Sequence, residues 1–171
     1  MVSFKSLTPA DAALLAKIGG ISLLESHGHS SPGEVMQAYL NKSFNEDACR
    51  AELANPTNIF SAVFYDNRPA GYSKMIYNIP HPAISIGPIT KLERLYLLKE
   101  FYDLKLGHVL LHQAIENSKA AGDKGMWLEV WKGNERAVSF YQKQGFETVG
   151  ETSFRLTATH SNPAWVMMME Y

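Results

Sequence analysis

The chain has 171 residues, 46 % of them hydrophobic and 19 % charged, with 16 basic and 17 acidic side chains and a formal net charge of −1. Those proportions describe one globular domain, residues 1–171, and exclude a disordered or fibrous polymer. With no basic tract, charge gives no support to a nucleic-acid partner, and no apolar run approaches the ~20 residues of a membrane helix.

The N-terminus, MVSFKSLTPADAALLAK, lacks an uninterrupted apolar segment followed by a small-residue cleavage site, so no signal peptide is expected. The first third reads as helical. Thr8-Pro9-Ala10-Asp11 offers a cap, a proline at the first helical position and an acid three residues after the cap. Leu14, Leu15, Ile18 and Ile21 then recur at helical spacing. The run ESHGHS, with His27 and His29, is expected as a solvent-facing loop between two helices, or else in contact with substrate. An H-x-H pair could bind metal, but no third ligand follows at a recognisable spacing. Ser31-Pro32-Gly33-Glu34 repeats the start signal, with Val35, Met36 and Leu40 on one face. A third short helix begins near Asn45 and ends at Asn55-Pro56. It carries the single cysteine, Cys49, at helical spacing from Leu53, as a partly buried helix residue rather than a nucleophile. One cysteine forms no internal disulfide and fits a reducing cytoplasm, the expected compartment.

Strand signals take over after Pro56. Ile59–Tyr65 and Gly71–Tyr77 flank a turn at Asp66-Asn67-Arg68-Pro69 and read as a hairpin. Ile89–Leu98 is apolar enough for a central strand. From Gly107 the pattern becomes helical, with Leu110, Leu111, Ala114, Ile115 and Ser118 on one face and Gly122 and Gly125 as its close. A strand at Met126–Trp131, a helix starting at Asn134 and strands at Phe146–Leu156 and Ala164–Tyr171 complete the chain. The expected fold is an α/β (α+β) domain around one mixed sheet of about six to seven strands flanked by helices.

Two segments carry chemistry. In GMWLEVWKGNERAVSFYQKQGF, Asn134 falls at a helix start and Tyr141 two turns on, so an amide and a phenol project from nearly one face. In LERLYLLKEFYDLKLGHVLLHQAI, a strand runs through the loop Tyr102–Gly107 into a helix. The first amides of a helix lack internal partners and face the positive end of its dipole, so such a loop can cradle phosphate.

Together these segments resemble the GNAT superfamily of N-acetyltransferases. In that family an L-Y-V strand precedes a pyrophosphate loop, (Q/R)-x-x-G-x-(G/A), and N-x-x-A-x-x-(F/L)-Y-x-x-x-G-F follows. Here the strand is Leu95-Tyr96-Leu97, and the second motif is Asn134, Ala137, Phe140, Tyr141, Gly145 and Phe146. The loop, Tyr102-Asp103-Leu104-Lys105-Leu106-Gly107, departs from the pattern. Tyr102 stands for Gln or Arg, Lys105 replaces the first glycine, and Gly107 remains. Losing that glycine is costly only if the position needs positive φ. Further stretches, SSPGEVMQAYLNKSFN and GETSFRL among them, look closest to bacterial polyamine (spermidine/spermine) acetyltransferases.

The resemblance implies acetyl-CoA as cosubstrate, no metal, and direct transfer of acetyl to a primary amine in a ternary complex. Leu95, Tyr96, Leu97, residues 102–107, Asn134 and Tyr141 would hold acetyl-CoA. The Leu97 N–H would polarise the thioester carbonyl, and Tyr141 would protonate the thiolate. Asn134 could equally serve as the helix cap, and both roles are compatible. Glu93 leads as base, acting through water, unless an ion pair with Arg94 or Lys91 occupies it; Glu129 is the second choice. The aromatic group Trp127, Trp131 and Tyr96 reads as packing. The acceptor is expected to be a small-molecule amine, with Glu25, Glu34 and Asp47 available to bind a polyamine. The alternatives are a protein N-terminus or lysine, or a non-catalytic acyl-CoA-binding module. Strand edges of this fold often pair, so a homodimer is among the expectations.

Overall fold

A computed structural model describes all 171 residues and shows one seven-stranded mixed sheet. Strand β1 (Val2–Ser6) and a helical turn at Pro9–Asp11 lead into helices α1 (Ala12–His27), α2 (Gly33–Ser43) and α3 (Glu46–Ala54). Strands β2 (Ile59–Tyr65), β3 (Arg68–Ile76) and β4 (Thr90–Leu97) follow, then α4 (Leu106–Ala120) and β5 (Gly125–Trp131). The chain ends with α5 (Glu135–Lys143), β6 (Glu147–Arg155) and β7 (Ser161–Glu170). The strand order is β1-β2-β3-β4-β5-β7-β6, and only the β4–β5 pair is parallel.

The local signals act as their chemistry dictates. The Thr8 N–H donates to the Asp11 carboxylate at 2.9 Å, and Asn45 Oδ1 accepts from the Ala48 N–H at 2.8 Å. Asp66 and Asn67 take φ of 49° and 64°, the left-handed pair of a two-residue primed hairpin. The hairpin is therefore tighter than the sequence suggests, and β3 begins at Arg68 rather than Gly71.

Three expectations are corrected. The first third is not wholly helical: β1 pairs with β2 at the sheet edge. It is five residues long and exposed throughout, so it shows no buried face from which alternation could be read. Gly125 does not close α4 but opens β5; the stop is Gly122, at φ +93°. His27 does not lie in a loop. It forms the last residue of α1 and is buried.

The sheet separates two cores. On β2, Phe60 and Ala62 join α1, α2 and α3 through Leu15, Ile18, Leu23, Met36 and Leu53, while Val63 packs against Leu106 and Leu110 of α4 on the opposite face. Cys49 is wholly buried in the first of these, and its thiol pKa is pushed up to about 11 by burial and by Glu52. That fits a packing residue, not a nucleophile.

Strand β4 carries a bulge. Met75 of β3 faces Leu92 and Lys74 faces Arg94, leaving Glu93 as the extra residue. The bulge changes which residues share a face. Leu92 packs on the α4 side before it, and Leu95 and Leu97 pack there after it, with Tyr96 turned toward α1. Pairing of β4 with β5 covers only Thr90–Met126 and Lys91–Trp127. Beyond that point the two strands diverge.

Candidate active site

The divergence of β4 from β5 opens a cavity of about 880 Å³. Residues Lys91–Leu97 line one wall and Leu128–Trp131 the other, with the start of α4 and the inner face of α5 at one end. The Leu98 N–H donates to Ala70 O at 2.8 Å, across β3. Successive residues of an antiparallel ladder alternate direction, so the N–H groups of Leu95 and Leu97 point to the opposite edge, the gap.

Tyr141, on α5, is 7 % exposed and packs against Phe140 and Phe146 at ring distances of 5.3 and 5.5 Å. The fully buried polar side-chain atoms without a partner are Tyr72 Oη and Arg94 Nη1. The Tyr141 hydroxyl is not among them, although nothing in the chain hydrogen-bonds it, so it opens into the cavity. Burial, and then the Tyr96 phenol, hold its pKa well above the ordinary phenol value. It keeps its proton at neutral pH. Asn134 caps α5, its Oδ1 accepting from the Ala137 N–H at 3.2 Å, and its Nδ2 remains for a ligand in the cavity.

The end formed by α4 and α5 is cationic. Lys105, at the start of α4, lines it with His108, Arg136 and Lys143. Leu106, Gly107 and His108 occupy the first turn of α4, where amides lack intrahelical acceptors. Lys105 adopts φ 61° and Asp103 φ 70°, so the position where the resemblance expects glycine does require positive φ. Arg136 stacks over the Tyr102 ring at 3.8 Å and reaches Asp103 at 3.5 Å. The guanidinium missing from position 102 is thus delivered from α5.

On the face toward α1 the walls are aromatic. His27 lies 5.8 Å from Tyr96, 5.5 Å from Trp131 and 6.2 Å from Phe154, and His29 lies 5.1 Å from Trp131. Burial, then His29, lowers the His27 pKa to about 4, so the ring is neutral at physiological pH. The Tyr96 phenol is pushed up to about 12, chiefly by burial. The Asn162 amide of β7 donates to Ser30 Oγ at 2.8 Å and ties the α1–α2 connection to the β6–β7 hairpin.

Beneath this wall lies a buried ionic network. Lys74, 5 % exposed, contacts Glu52 at 2.7 Å and Glu93 at 3.0 Å; Arg94 meets both Glu52 oxygens at 3.0 Å. Burial alone would raise the Glu52 pKa, but Arg94 and Lys74 hold it below the carboxylate norm. Glu93 therefore pairs with Lys74, not with Lys91 or Arg94. Glu129 lines the same cavity and forms no ion pair.

Of the residues singled out in the sequence, Glu93, Leu95, Tyr96, Leu97, Tyr102, Asp103, Lys105, Leu106, Gly107, Asn134 and Tyr141 all line the cavity. Leu104 does not; its side chain is exposed. Glu25, Glu34 and Asp47 do not border it either: Glu25 accepts from the Lys99 N–H, and Asp47 pairs with Arg50. Sequence reasoning missed Ser26, Arg136, Lys143 and Phe154. Arg136 was the most accessible of these, two residues past the recognised Asn134.

A mixed sheet whose central parallel pair separates over a helix N-terminus and a buried phenol defines an acyl-CoA-dependent acyltransferase. The comparisons agree: residues 22–146 match the model of the acetyltransferase (GNAT) family. An uncharacterized N-acetyltransferase of the pepI 3' region in Lactobacillus delbrueckii subsp. lactis is 31 % identical over 133 residues, 77 % of this chain and 76 % of that protein. The uncharacterized N-acetyltransferase Mb2688 of Mycobacterium bovis is 30 % identical over 118 residues, 69 % and 70 % of the two chains. In fold, the chain is similar to the PaiA N-acetyltransferase of Thermoplasma acidophilum, solved with coenzyme A, at a TM-score of 0.79 and 21 % identity, covering 100 % and 99 % of the chains. It is also similar to the ribosomal-protein-S18-alanine N-acetyltransferase of Escherichia coli, at a TM-score of 0.71 and 16 % identity over 99 % and 94 %. The chain belongs to the GNAT family and is an acetyl-CoA-dependent N-acetyltransferase.

The donor set suits that cosubstrate. Unpaired amides at the start of α4, with Lys105 and Arg136 beside them, match a pyrophosphate group in charge and in hydrogen-bonding sense. No helix is long and apolar enough to cross a membrane.

Proposed function

We propose that the protein transfers acetyl from acetyl-CoA to a primary amine of a small molecule, with polyamines the favoured acceptor class. Acetyl-CoA supplies the thioester; the rest is done by the chain. The first amides of α4, with Lys105 and Arg136, hold the phosphates, and Asn134 Nδ2 steadies the pantetheine arm. The Leu97 N–H polarises the carbonyl from the edge of the gap. Tyr141 holds a proton at Oη, ready for the departing sulfur; burial that raises the phenol also makes a thiolate formed beside it a stronger base than in water, so the proton can pass within a hydrogen bond. Glu93, held by Lys74 through Oε1 alone, receives the amine's proton through water at its other oxygen, with the unpaired Glu129 as the second candidate.

The observation that carries the acceptor reading is the wall facing α1. It combines Tyr96, Trp131 and Phe154 with the carboxylates Glu93 and Glu129. Aromatic faces and carboxylates together suit a cationic amine. The Asn162–Ser30 tie bridges this side, which favours a compact acceptor over a protein chain.

The test is a mass-spectrometric screen of amines incubated with the protein and acetyl-CoA. The panel contains spermidine, spermine, putrescine, amino-acid amides and short peptides with free N-termini. Acetylated spermidine or spermine is the expected product. Acetylation confined to the peptides would overturn the small-molecule reading. In the same assay Tyr141→Phe should lower turnover ~100-fold, as loss of a general acid does, with little change in acetyl-CoA affinity. Unchanged turnover would remove Tyr141 from the proton-donor role.

A further inference from the structure

One group on the acceptor wall has no task in the chemistry above. His27 is 5 % exposed and ends α1 against Tyr96, Trp131 and Phe154. Its Nδ1 lies 2.6 Å from Ser26 Oγ, and that hydroxyl lies 2.9 Å from Ser22 O. A carbonyl oxygen only accepts, so the single hydroxyl proton of Ser26 goes to Ser22 O. Nδ1 must therefore carry a hydrogen and donate it to Ser26 Oγ. The ring is fixed as one tautomer, and its lone pair sits on Nε2.

Nothing in the chain hydrogen-bonds Nε2. It is also absent from the fully buried polar atoms that lack a partner, Tyr72 Oη and Arg94 Nη1. Nε2 is therefore among the few atoms of this ring that remain open, on a residue that lines the cavity. A lone pair at the bottom of an aromatic wall accepts an N–H and has nothing to offer an anion or a carbonyl.

We propose that His27 contacts the acceptor directly: Nε2 accepts a hydrogen bond from the reacting amine and orients that nitrogen's lone pair toward the gap between β4 and β5. The assignment rests on the amine-acetyltransferase reading above and adds a residue to it. Ser26 acts behind it as a positioning residue. The aromatic rings keep water from competing for the nitrogen, which strengthens a single hydrogen bond. The neutral state of the imidazole, with its pKa near 4, keeps the acceptor available throughout the physiological range.

The experiment compares two variants of the full chain, His27→Phe and His27→Gln, in steady-state thiol release at saturating acetyl-CoA. The amines are spermidine and whichever panel member the wild-type protein acetylates fastest. Phe keeps a flat ring among the three aromatics but has no acceptor; Gln gives up the ring but carries a carbonyl oxygen that reaches the Nε2 position. The KM for the amine should rise roughly tenfold in the Phe variant, the loss of about one hydrogen bond, and largely recover in the Gln variant. The KM for acetyl-CoA should stay put in both. A Phe variant as good as wild type, with Gln the poorer, would show that the ring only packs and would overturn the proposal.

If both variants are impaired alike, nitrogen NMR of the wild-type imidazole in the presence of coenzyme A decides. Addition of the amine should move the Nε2 resonance and leave Nδ1 in place; a static Nε2 overturns the assignment. If the fastest amine proves not to be a polyamine, the polyamine reading fails while His27 is still tested on that amine.

Discussion

Lys105 sits at φ 61°, where a side chain costs about 1 kcal/mol relative to glycine. Lys105→Gly should therefore raise the melting temperature by roughly 2–4 °C, since a chain of this size moves about that much per kcal/mol. The same change removes a charge from the cationic end of the cavity, so acetyl-CoA should bind more weakly and with a shallower salt dependence by calorimetry. A gain in stability without that loss would remove Lys105 from the binding site. His27 makes a second prediction at this scale. Its folded pKa of about 4 lies below the unfolded value of 6.5, so the unfolded chain binds more protons between these limits. Stability is intact above pH 6.5 and is lost as pH falls toward 4. At pH 5 the wild type should lose about 2 kcal/mol relative to pH 7 through this residue, and His27→Gln should not, by urea unfolding at the two pH values. Position 105 was marked in the sequence by a lysine where glycine was expected, but its φ was not readable there. Nor was the burial of His27, because polar runs such as ESHGHS look alike whether they end a helix or continue as a loop.

At the scale of elements, the ion network joins α3 to β3 and β4. Glu52→Gln would leave Lys74 and Arg94 with one carboxylate, Glu93, to neutralise them. Stranding a buried charge in this way costs about 3 kcal/mol, to be read from denaturant midpoints, and Glu93 should lose its fixed position. Amine turnover would then fall together with stability. The helices and long strands were legible because capping residues and apolar periodicity agree locally: Asn45 and Asn134 both cap in fact. Strand β1 was not legible. Val2, Phe4 and the residues between them are exposed at the sheet edge, so pairing with β2, a long-range event, is what makes them a strand. The Glu52 network was equally hidden, since its members lie far apart in sequence and meet only through the sheet register.

For the whole molecule, the cavity belongs to no single layer: β4, β5, α4 and α5 each contribute a wall. A ligand that binds there ties the two cores together. Acetyl-CoA at one hundred times its dissociation constant should stabilise the fold by about 2.7 kcal/mol, a rise of roughly 5–10 °C in a thermal melt. Absence of any shift would sink the assignment of this cavity to the cosubstrate. The donor end was legible in the sequence because one contiguous loop and one contiguous helix build it. The proposed acceptor end draws on α1, β4, β5 and β6, and the carboxylates that line the cavity are Glu93 and Glu129, not the three surface acids, Glu25, Glu34 and Asp47, that composition made available.

The extra residue at Glu93 has a meaning beyond its carboxylate. A strand counts in twos, and one inserted residue changes odd to even for everything after it. Removing residue 93 would leave the pairs from Arg94–Lys74 to Leu97–Gly71 as they are, and Leu95, Tyr96 and Leu97 on their present faces. What would go is the Glu93 carboxylate and the bend that a bulge puts into its strand. With that bend relaxed, β4 should stay beside β5 past Lys91, and the gap between them should narrow. The opening in this sheet is, in that sense, the shape of one surplus residue.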